Sequence, residues 1–118
     1  MRADLDAAHE VYHNSYLQYQ EDSDAAESQY HKELEAINKE RERNHEEYLK
    51  VWRAQNRDRR SPELVAAHEA YEIACVDTAA RKRESWRRYW DVQHKIDDTL
   101  TEAHDRYLEV WSRERQPA

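Results

Sequence analysis

Arg57-Asp58-Arg59-Arg60-Ser61-Pro62-Glu63-Leu64 lies at the middle of the chain and is its strongest interruption of helix-forming sequence. Ser61 is a good N-cap residue, Pro62 suits the first helical position because it has no N–H to satisfy, and Glu63 places an acid in the first turn. One helix therefore ends near Asp58 and a second begins at Pro62. A short polar connection of this kind forces the second helix back antiparallel along the first.

The sequence on either side of this corner supports two long helices. The chain of 118 residues has no Gly and only two Pro, so the left-handed turns of β-hairpins and of phosphate-binding loops lack their usual residue. Ala, Glu, Arg, Lys, Gln and Leu favour helix throughout. Low mean hydropathy points towards disorder, but eight Tyr and four Trp at regular spacing argue for a packed structure. A second polar stretch, Glu21-Asp22-Ser23-Asp24, could cap a new helix, yet the corresponding Ala80-Arg81-Lys82-Arg83 holds no turn residue. The region is therefore read as a weak or kinked stretch of continuous helix, the alternative being a real turn that would make a bundle of shorter helices.

Apolar and aromatic residues form one stripe along each helix. Leu5, Tyr12, Tyr19 and Ala26 are spaced by seven, and after one step of four Tyr30, Ile37, Asn44 and Val51 continue by seven, with Ala8, Tyr16, Leu34, Tyr48 and Gln55 between them. The second half repeats the pattern at Leu64, Tyr71, Thr78, Ser85, Tyr89, Ile96, Ala103 and Val110. The halves correspond at an offset of 59, with 13 identities over the 57 pairs of residues 2–58 and 61–117. Biased composition alone would give about 5. The expected architecture is an all-α, elongated, coiled-coil-like antiparallel helical hairpin, a single domain over residues 1–118 built from a tandem duplication. Dimerisation to a four-helix assembly would cover its thin core.

The offset also gives an expected set of cross-helix neighbours. With the corner centred near Arg60, positions whose numbers sum to about 120 face each other. His9 then meets Trp111, and Trp52 meets His68, the same pair exchanged between halves, so that a pseudo-two-fold relates two structural clusters. Tyr30 would meet Trp90, Leu34 would meet Trp86, and His45 and His104 would approach Cys75 and Tyr16. Rings with polar tips suit such an interface, because Tyr and Trp bury a face and keep a hydrogen bond to water.

Three motifs carry possible chemistry. His9-Glu10-Val11-Tyr12-His13 fits the zinc-protease pattern H-E-x-x-H, in which two imidazoles one turn apart share a metal and the Glu acts as base. The equivalent segments at His45, His68 and His104 share only His-acid-x-Tyr, so His9, Glu10 and His13 are set aside as metal ligands and no cofactor is expected. Glu10-x-x-His13 and Glu42-x-x-His45 likewise match the spacing of di-iron bundles, whose two further carboxylates a two-helix chain would supply only by dimerising, and a metal-binding helical bundle using Glu and His is the remaining alternative. Cys75, the one cysteine, corresponds to Tyr16 and reads as a packing residue.

The third motif is Arg81-Lys82-Arg83-Glu84-Ser85-Trp86-Arg87-Arg88-Tyr89-Trp90, whose net charge of +4 contrasts with -6 over residues 1–30 and -7 overall. The first half holds no counterpart. Arg81, Arg83, Trp86, Arg87, Arg88 and Trp90 are therefore the expected partner-binding residues, for an acidic protein surface or another copy of the chain. Nucleic acid is the alternative partner, since cations interleaved with aromatics also suit phosphates and bases. With no membrane span and no signal-like start, the chain is expected in the cytoplasm, as a non-enzymatic accessory or inhibitor protein of phage or bacterial type.

Overall fold

The computed structural model describes residues 2–115. Its two elements are α1, Arg2–Ala54, and α2, Pro62–Arg115, and they make an antiparallel α-helical hairpin. Glu21-Asp22-Ser23-Asp24 lies within unbroken helix. No helix among the described residues is long and apolar enough to cross a membrane.

The connection spans residues 55–61 and starts earlier than the sequence reading placed it. The Arg57 N–H donates to the Trp52 carbonyl (2.9 Å) and the Asn56 N–H to the Arg53 carbonyl (3.1 Å), the paired bonds of a Schellman ending. Asn56 and Arg57 both adopt left-handed backbone, with φ of 53° and 60°. In a chain without Gly, Asn is the residue that takes this conformation at least cost, and its side chain gives no periodicity signal. Arg57, which enjoys no such tolerance, is expected to be replaceable by Gly with a gain of about 0.5–1 kcal/mol, measured as a raised urea midpoint.

Ser61 then restarts the helix as the sequence indicates. Its carbonyl accepts the Val65 N–H at 2.9 Å, and its Oγ accepts the Leu64 N–H at 3.4 Å while lying 2.8 Å from both Gln55 Oε1 and Glu63 Oε2. Ser61→Ala removes a buried cap and should cost about 1 kcal/mol in denaturant melts. A backbone N–H and the Ser61 hydroxyl hold the Glu63 carboxyl below the usual carboxylate range. Its stabilising contribution is complete above the unfolded-state pKa and disappears as pH falls through the lower folded value. Glu63→Gln should therefore flatten the acid limb of a stability-against-pH curve, and an unchanged limb would remove this cap from the account.

Contacts divide the chain into two compact units, one of residues up to Gln29 with those from Arg88 on, the other Tyr30–Arg87. In both, the inner face is mostly half-buried. Ile37 and Leu64 are the buried apolar side chains, whereas Ser61, Thr78 and Ser85 are buried polar ones. Thr78 satisfies its hydroxyl on the Cys75 carbonyl at 3.1 Å. In the Tyr30–Arg87 unit a polar seam crosses between helices: the Ser85 hydroxyl donates to the Glu33 carboxylate, and Arg81 reaches Glu40 at 2.5 Å. In the other unit Gln93 Nε2 donates to Ser23 Oγ at 3.1 Å. Tyr16, expected in the stripe, is 42% exposed, and the adjacent Ser15 takes the inner position.

Candidate functional site

Each unit contains a cluster of two His and two Tyr rings, and these two clusters use residues related by the offset of 59. In the first, His9 lies edge-on to Tyr107 with ring centres 5.8 Å apart, Tyr12 stacks on Tyr107 at 5.6 Å, and His104 tilts against Tyr12 at 5.2 Å. In the second, His68 lies edge-on to Tyr48 at 5.8 Å, Tyr71 stacks on Tyr48 at 5.3 Å, and His45 tilts against Tyr71 at 5.7 Å. The interplanar angles agree as well, 67° with 62°, 22° with 23° and 49° with 53°. Identical sequence at corresponding positions thus makes corresponding contacts.

The neighbours differ from those expected by about one helical turn. Facing His–Tyr numbers sum to 116, as in His9 with Tyr107 and His45 with Tyr71. The cause is the early end of α1: the connection is centred near residue 58, which moves the register by up to four residues. His9 accordingly meets Tyr107, and Trp111 is covered by the Arg115 guanidinium at 4.6 Å. Trp52 and His68 do line one cavity of about 410 Å³ beside the corner, with Tyr48, Arg59, Leu64 and Val65. Tyr30 packs on Trp86 at 5.6 Å, and Trp90 lies edge-on to His94 at 4.5 Å. His45 and His104 reach Tyr71 and Tyr12, one turn from Cys75 and Tyr16.

These rings tie the imidazoles to tyrosines. His45 Nδ1 lies 3.3 Å from the Tyr71 hydroxyl, whose pKa is raised by a hydrogen bond with Cys75 and by burial. Among the described residues no three His, Cys, Asp or Glu side chains converge as metal ligands. His9 is turned to Tyr107, and Glu10 and His13 are exposed.

The basic segment of α2 separates into two kinds of residue. Arg81 is held inward, 2.5 Å from Glu40 and 3.0 Å from Asp77, and its guanidinium pKa is raised first by the Glu40 hydrogen bond. It belongs to the seam between the helices and is taken out of the outward-facing set. Arg83 is exposed, Trp86 is 48% exposed over Tyr30, and Arg87 lies 3.8 Å from Glu84. Arg88 and Trp90, which belong to the other unit, are also exposed.

The sequence reading missed the stretch of α2 before this segment. Val65, Ile73 and Val76 are 54%, 65% and 68% exposed. They lie outside the heptad stripe and on the face away from α1, and their spacing with Arg83 and Arg87 (steps of three, four, seven and eight) was the available signal. No family model, curated protein or solved structure matches this chain.

Proposed function

We propose that this chain is a non-enzymatic interaction protein that binds a protein partner, or a further copy of itself, through exposed helix faces. The observation that carries this reading is an inversion of the usual distribution of apolar side chains. Among the described residues Ile37 and Leu64 are the only buried hydrophobic side chains, while Val65, Ile73, Val76 and Trp86 of α2 are each about half exposed or more. Exposed apolar groups bordered by charge mark an association surface. Arg83 and Arg87 border this one, and they give it a preference for acidic partners.

The test is affinity capture from an extract of the source cell with the intact protein and with Trp86→Ala/Arg87→Glu. Trp86 and Arg87 are exposed, and circular dichroism checks that the double variant keeps its fold after losing the Trp86 contact with Tyr30. Loss of the same bound proteins from the variant is the expected result; an unchanged bound set would end the proposal for this surface. A band shift of RNA or DNA that collapses with added salt would instead give Arg83, Trp86 and Arg87 to nucleic acid.

A further inference from the structure

We infer that the outer face of α2 in the Tyr30–Arg87 unit is a self-association surface, and that its occupant is the same face of a second copy, related by a two-fold axis near Val76. The inference rests on the interaction reading above and names the partner.

The first support is area. The chain exposes 9434 Å². A compact monomer of 14.3 kDa exposes about 6,800 Å² by the usual size scaling. The surplus, about 2,600 Å², is larger than the roughly 800 Å² that each partner of a standard protein interface removes from water. A core this short of buried apolar side chains gains from any surface that supplies more.

The second support is the arrangement of charge. Residues 62–77 carry Glu63, Glu69, Glu72 and Asp77 and no Lys or Arg, whereas residues 81–87 carry Arg81, Lys82, Arg83 and Arg87 against Glu84 alone. Val65, Glu69, Glu72, Ile73, Val76, Ala80, Arg83 and Arg87 are all exposed and follow one another by steps that keep them on one helix face. An isologous contact sets each residue against its mirror position in the other copy. With Val76 at the axis of two antiparallel helices, Ile73 lies over Ala79 and Ala80 of the second copy. Glu69 then stands opposite Arg83, and this pair occurs twice.

Glu69 and Arg83 suit that role because neither has an ion-pair partner among the described residues. Nearby, Arg81 pairs with Glu40 and Asp77 and Arg87 with Glu84, and His68 Nδ1 lies 3.6 Å from Glu72. A parallel arrangement, or an axis shifted by a turn towards the corner, would set like charges together. The acidic first half and basic second half of the same face are complementary to a second copy only when the two helices run antiparallel.

Sedimentation of the untagged full chain at roughly 50 µM tests the inference, with circular dichroism confirming fold in each variant. A dimer that weakens with added salt is expected. Val76→Glu places two acids at the axis and should raise the dimer dissociation constant about 100-fold. Glu69→Arg and Arg83→Glu should each raise it about tenfold, while the double swap returns it to within about threefold of the original. A monomer at that concentration, a dimer indifferent to Val76→Glu, or a double swap no better than the single ones would overturn the inference. A monomer whose captured proteins still depend on Trp86 and Arg87 would do so while leaving the broader interaction reading intact.

Discussion

Leu64→Ala is expected to lower stability by about 3 kcal/mol, equivalent to a fall of about 10 °C in thermal midpoint for a chain of this size. Leu64 is 3% exposed, one of two buried apolar side chains, and stands in the first turn of α2 directly after the Ser61 cap. The surroundings cannot collapse into the vacancy easily, because the cap and the Schellman ending fix both chains entering the corner. Domains of this size are typically stable by about 5–15 kcal/mol, so the loss is a large fraction of the whole. Urea melts of both proteins followed by circular dichroism would measure it. A loss under about 1 kcal/mol would show that the corner does not depend on its apolar plug.

The second large effect concerns the two aromatic clusters. Tyr71→Ala removes a stacked contact with Tyr48, a tilted contact with His45 and the hydroxyl near His45 Nδ1, and should cost about 2 kcal/mol for a half-buried ring. Tyr12→Ala deletes the equivalent contacts with Tyr107 and His104. If these contacts set the cost, the two losses agree within about 0.5 kcal/mol, the ordinary scatter of such comparisons. Markedly unequal losses would show that the environment around each cluster outweighs the rings themselves. The raised Tyr71 pKa adds a sign: its contribution is full below the ordinary tyrosine range and falls as pH rises through the folded value.

The helices and the antiparallel turn were legible because they depend on local rules. Ser61, Pro62 and Glu63 announce the start of α2, and the heptad spacing of Tyr12, Tyr19, Tyr30 and Ile37 marks an inner face. The register was legible only to within a turn, because it depends on where α1 stops. That point is set by left-handed backbone at Asn56 and Arg57, and neither residue type demands it. For the candidate site, the basic segment was visible as composition. The inward turn of Arg81 was not, because its partner Glu40 is 41 residues away in sequence and reads there as one exposed acid among many. Val65, Ile73 and Val76 escaped notice for the opposite reason: outside the stripe, isolated apolar residues resemble ordinary surface variation until their common exposure is seen.

The polar seam has a consequence for how the hairpin finds its alignment. A stripe of Tyr, Ala and small residues tolerates sliding, since neighbouring rungs offer similar volumes to a shifted partner. Arg81 does not tolerate a slip of one turn: a shift of four residues would set it against Asn44 or Ala36 in place of Glu40. Ser85 and Glu33 impose a second condition at the next rungs. The charges that weaken the interior therefore act as an index mark, as a single polar residue does in a coiled coil, by making a one-turn misalignment leave an ion without its counterpart.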